Sequence, residues 1–153
     1  MRNLICAAML AAALCAPAFA QGKVALESAV FVERKGHTSD GRVEKRIEPA
    51  GQLARGDRVV LMVEWQAGTR SRGSFAVTSP IPRTLAFQRA SEEGTEVSVD
   101  GGRNWGRLGT LTISEADGKR LASPQDVTHL RWQVSPREAA RGRGRITYSA
   151  IVR

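Results

Sequence analysis

The densest reactive chemistry in the chain is a run of guanidinium groups, Arg141-Gly142-Arg143-Gly144-Arg145, with a second pair at Arg70 and Arg72. Guanidinium forks hold phosphate or carboxylate through paired N–H donors, so these five arginines are the candidate anion-binding residues. The intervening glycines keep the backbone accessible, which suits a segment that wraps an anionic ligand. A solvated loop is the alternative. Arg70 and Arg72 join the same patch only if both loops lie at one end of the fold.

A second constellation is Ser98-Val99-Asp100-Gly101-Gly102-Arg103-Asn104-Trp105. It resembles the Asp-box, the Ser-x-Asp-x-Gly-x-Thr-Trp hairpin of sialidases, with Asn104 in place of Thr. The chemistry is local. Asp100 can accept backbone N–H bonds across the turn, glycines supply positive φ, and Trp105 packs beneath. Sialidase activity would need a propeller several times longer, so Ser98, Asp100, Gly102 and Trp105 read as a structural hairpin. Arg55-Gly56-Asp57 spells an integrin-recognition tripeptide, but it also reads as a tight turn feeding the strand at Val59. Trp65 and Trp132 share parity with aliphatic neighbours and read as core residues, leaving Trp105 as the indole with a chance of exposure.

Other chemistries lack their residues. His37 and His129 are the only histidines. No spaced His pair and no cysteine of the exported chain is available for a transition-metal site. There is neither a Gly-x-Ser-x-Gly elbow nor a phosphate-binding glycine loop. The expectation is a protein without catalysis, cofactor or metal.

The ends set the compartment. Arg2, the apolar stretch from Leu4 to Cys15, and Ala18-Phe19-Ala20 before Gln21 read as a secretory signal peptide over residues 1–20. The stretch is too short to span a membrane, and no second apolar run follows it. Both cysteines, Cys6 and Cys15, leave with the signal, so the exported chain holds itself together without disulfides. Removing Arg2 from the 23 Lys and Arg leaves 22 against 15 Asp and Glu, a formal +7. In a cytosolic protein such a charge would suggest nucleic acid. Export redirects the expectation to an envelope protein, or to anionic glycan or lipid headgroups, in a periplasmic or secreted setting.

The elements that must position these residues are strands, because period-two alternation dominates and no helical period is sustained. Val24 to Glu33 reads as a first strand, and Arg42 to Ile47 as a polar edge strand. Val59, Leu61, Val63 and Trp65 share one parity, and Val60 and Met62 on the other suggest a central strand covered on both faces. Ala67 to Gly73 reads as a basic hairpin loop. A strand over Ser74 to Thr78 should end at Ser79-Pro80-Ile81-Pro82, where two prolines oppose regular pairing. Leu85 with Phe87, Leu111 with Ile113, Leu130 with Trp132 and Val134, and Ile146 to Val152 give further strands. Glu96 to Asp100 and Trp105 to Leu108 flank the glycine hairpin. Single helical turns fit at Pro124 to Val127 and Pro136 to Ala140. Eight to ten short strands at even spacing predict an all-β sandwich of immunoglobulin-like type, one domain over residues 21–153.

Several segments together resemble a family of bacterial secreted proteins of unknown function, built on surface-repeat domains with an immunoglobulin-like fold. They are Pro49 to Leu53 leading into Gly56 to Val60, the Pro80-Ile81-Pro82 corner with Leu85, and Ser98 to Gly102. Ala122 to Asp126 with Val127-Thr128, Leu130-Arg131-Trp132 and the terminal Gly144 to Arg153 strand complete the set. Family members carry an Asn-Gly turn near the place held here by Gly68 to Ser71. The resemblance implies this fold and export, and it implies no activity.

Overall fold

The computed structural model describes residues 24–68 and 73–153. The predicted signal peptide, and Arg70 and Arg72, lie outside these residues. Among the described residues ten strands form: β1 (Val24–His37), β2 (Val43–Pro49), β3 (Arg58–Ala67), β4 (Phe75–Pro80) and β5 (Leu85–Ala90), followed by β6 (Glu96–Ser98), β7 (Thr112–Glu115), β8 (Gly118–Leu121), β9 (His129–Val134) and β10 (Arg143–Val152). A five-stranded antiparallel sheet runs in the order β2-β1-β3-β10-β5, and a three-stranded sheet in the order β4-β9-β6. A separate ribbon pairs β7 with β8.

Strand parity builds the core as the sequence predicts. Val59, Leu61, Val63 and Trp65 of β3 and Ile146, Tyr148 and Ala150 of β10 are buried from one sheet. Val77 of β4 and Leu130, Trp132 and Val134 of β9 are buried from the other, in one hydrophobic cluster. Indoles and rings join the layers: Trp132 lies 6.3 Å from Tyr148, and Trp65 meets Phe75 edge-on at 5.3 Å. This is an all-β, sandwich-like fold.

Some expectations need correction. β3 is central, but Val60 and Met62 on its outer face are only half-buried between neighbouring strands, with no third layer over them among the described residues. β4 continues through Ser79 and Pro80, which pair with Leu130 and His129. The reason is position: β4 is an edge strand, and Ile81 N–H donates to the Thr128 carbonyl at 2.8 Å. By antiparallel alternation the nitrogen of Pro80 then faces away from β9, where a missing donor costs nothing. β8, a strand that the alternation did not announce, is solvent-exposed throughout. The helical turns appear at Pro124–Asp126 and Pro136–Ala139 (α1), each begun by a serine and a proline.

Candidate functional site

Arg143 and Arg145 are strand residues, not loop residues: both lie in β10 and point to the outer face of the five-stranded sheet. Gly144 between them faces inward, where the Trp65 indole covers it so closely that a Cβ would sit 2.5 Å from Cε2. Gly142 has φ 78°, the left-handed turn that ends α1 and hands the chain to β10. The two glycines therefore serve packing and turning. Arg145 donates through Nε and Nη2 to one Glu64 oxygen, at 2.9 and 2.7 Å. Arg141 is exposed beside Glu138, whose carboxyl is held below its ordinary range first by the Ser135 hydroxyl and backbone, with Arg141 adding to the effect. A cleft of about 530 Å³ at this end of the sandwich gathers the three arginines, but Glu92, Glu93 and Glu138 line it too. It is a mixed-charge surface, not an anion cradle.

The Ser98–Trp105 hairpin forms as its residues dictate. Asp100 Oδ1 accepts from the Asn104 N–H at 2.9 Å, the Arg103 N–H at 3.1 Å and the Ser98 hydroxyl at 2.8 Å. Oδ2 accepts from the Asn104 amide at 2.6 Å, so the Asn104 side chain adds a further bond across the turn. These donors hold the Asp100 carboxyl well below the usual carboxylate range, with the Asn104 backbone first among them. Gly101 and Gly102 supply φ of 79° and 88°. Trp105 donates its indole N–H to the Gly102 carbonyl at 2.9 Å and carries the Arg131 guanidinium 4.4 Å from its ring centroid. One face of the indole is thus taken by a guanidinium.

Two further carboxylates, those of Asp57 and Asp126, are held in structural contacts. Asp57 accepts from Ala54 N–H at 2.9 Å and pairs with Arg34 at 3.0 Å, so the Arg55-Gly56-Asp57 turn directs its acid inward. Asp126 takes the Arg120 fork at 2.7 and 2.9 Å and caps Ser123. His129 Nδ1 lies 3.1 Å from Thr128 Oγ1, and its ring meets Trp105. Among the described residues no group of three or more His, Cys, Asp or Glu could hold a metal ion.

What the sequence did not reveal is an open flank. β2 pairs only with residues 31–37 of β1, so Val24 to Val30 form an edge of the large sheet. The Ala50 N–H donates to the Val30 carbonyl, which fixes the even residues of β1 as the ones whose backbone groups face outward there. Leu26 and Ser28 are therefore unpaired on that side. In the small sheet the same logic leaves Ala76 and Thr78 of β4 with outward backbone groups. Between these two edges the inner face of β1 overhangs the smaller sheet, and Leu26 and Val30 remain 50% and 37% exposed although they share parity with the buried Val32. Pro80 was the available signal, since a proline inside a strand marks an edge; the overhang itself follows from sheet order.

No family model, no curated protein and no solved structure matches the chain.

Proposed function

We propose that the protein is an exported, non-catalytic module of immunoglobulin-like type that acts by holding an extended segment of an envelope protein. The open flank carries this reading. A strand laid along β4 would find the backbone groups of Ala76 and Thr78 ready to pair, while its alternate side chains would cover Leu26 and Val30. Completing the half-burial of Leu26 contributes about 1 kcal/mol, and each backbone bond about 1 kcal/mol net. A few such terms, set against the cost of ordering two chains, favour a transient contact or one part of a larger interface. The reading without catalysis draws support from three acids: Asp57 and Asp126 each serve an arginine and a backbone N–H, and Asp100 serves backbone N–H groups and the Ser98 and Asn104 side chains.

Site-specific photo-crosslinking in cells tests the reading. A crosslinking side chain at Leu26 or Thr78 should capture a discrete protein adduct, and one at Gln133, exposed on the outer face of the small sheet, should not. Equal capture at all three positions, or none at the flank, would overturn it.

A further inference from the structure

The outer face of the five-stranded sheet is a second uncommitted surface, on a different side from the flank. Six cations project from it: Lys35, Lys45, Arg58, Arg89, Arg143 and Arg145. Three carboxylates, Glu27, Glu33 and Glu64, share the face. Lys45 is paired with Glu33 at 3.1 Å and Arg145 with Glu64 at 2.7 Å. Lys35, Arg58, Arg89 and Arg143 make no ion pair among the described residues. On the small sheet's outer face, by contrast, the strand charges are Arg131 and Glu96, neutralised by each other at 2.9 Å.

Two further features mark the face. Lys35 stands directly opposite Lys45 across β1 and β2, a like-charge arrangement that the Glu33–Lys45 pair only partly offsets. Beside them Val43 and Ile47 flank Lys45 on the same side of β2, 63% and 53% exposed. Positive charge spread along a sheet face, with protruding aliphatic side chains at one end of it, is complementary to a surface rather than to a small molecule. Adsorption of this kind gains from apolar insertion and from attraction to anionic headgroups together.

We infer that this face docks on an anionic lipid surface, with Val43 and Ile47 entering the headgroup layer and Lys35, Arg58, Arg89 and Arg143 lying over the lipid phosphates. The inference goes beyond the proposed function and does not depend on the flank. It moves the arginine chemistry from a loop to a sheet face, keeping Arg143 and leaving Arg141 at its rim.

Sedimentation of the exported chain with vesicles tests it, using phosphatidylcholine containing phosphatidylglycerol against phosphatidylcholine alone. Binding should require the anionic lipid and weaken as salt is added. Each of Lys35→Gln, Arg58→Gln, Arg89→Gln and Arg143→Gln should lower partitioning about fivefold, the equivalent of ~1 kcal/mol per cation near an anionic surface. Ile47→Ser should lower it further without changing the salt slope. All five side chains are exposed or on an edge, and unchanged melting curves would show that the variants fold. The control removes equal charge elsewhere through Arg103→Gln, Arg107→Gln, Lys119→Gln and Arg137→Gln. Equal loss from both sets would mean diffuse attraction and overturn the proposal, as would equal binding to phosphatidylcholine alone or no binding at low salt.

Discussion

At the scale of single residues, glycine 144 is fixed by an indole. Because Trp65 is 5% exposed and packed against Phe75, it has no room to yield to a new Cβ. Gly144→Ala should therefore cost about 1–3 kcal/mol by overpacking. Gly36→Ala, with nothing within 4 Å of the added carbon, should be neutral or stabilise by up to about 1 kcal/mol. Denaturant midpoints of the two variants check the contrast. Asp100 makes a different prediction. Its carboxyl titrates lower in the folded chain than in the unfolded one, so the stability it contributes is complete above the unfolded value, near pH ~4, and is lost as the pH falls toward the folded value. Asp100→Asn should flatten the loss of melting temperature below that pH. Asp126, also depressed by its Arg120 pair, should keep some of the slope. An unchanged acid limb in Asp100→Asn would contradict this assignment. The hairpin was legible from sequence because the bonds that Asp100 accepts span four residues or fewer, whereas the tie from the Gly101 N–H to the Thr128 hydroxyl spans 27. The Arg145–Glu64 pair was not, because its partners are separated by 81 positions and meet only through the β3–β10 register.

At the scale of elements, β9 separates packing from surface chemistry. Trp132 points into the core against Tyr148, and Trp132→Ala should cost about 3–5 kcal/mol. Arg131 points outward, but it lies over Trp105 and pairs with Glu96, so Arg131→Ala should cost about 1 kcal/mol rather than nothing. Equal shifts in the two denaturant midpoints would contradict the face assignment. The alternation of Leu130, Trp132 and Val134 against Arg131 and Gln133 made this orientation readable in advance. The same reasoning misjudges β4, since it reads the prolines as opposing pairing on both sides, while an edge strand pairs on one alone. It also missed β8, whose four exposed residues carry no alternation to read. That ribbon is tied back through Arg120, which bonds Glu115 at 2.5 Å and Asp126.

At the scale of the whole molecule, the sequence specified an all-β sandwich, and its two sheets are unequal. Five strands face three, and the difference leaves one flank with unpaired edges and uncovered aliphatic side chains, while the broad outer face collects unpaired cations. Sheet order decides both features. Strand order is a long-range property, whereas alternation is local, so Leu26 and Val30 read as ordinary inward residues in the sequence yet remain exposed in the fold. The same holds for charge: a formal +8 over the full sequence says nothing of where it gathers, and it is the register of β1, β3, β5 and β10 that lines Lys35, Arg58, Arg89 and Arg143 on one side.

The account stands or falls on whether that flank is open in the free protein, and amide hydrogen exchange followed by NMR reads it directly. In β4 the N–H groups of Val77 and Ser79 point toward β9, and those of Ala76 and Thr78 point away from it. The account predicts slow exchange at Val77 and Ser79, and exchange near the unstructured rate at Ala76 and Thr78. Protection of all four amides in the isolated monomer would mean that the edge is already paired, and would contradict the proposed site.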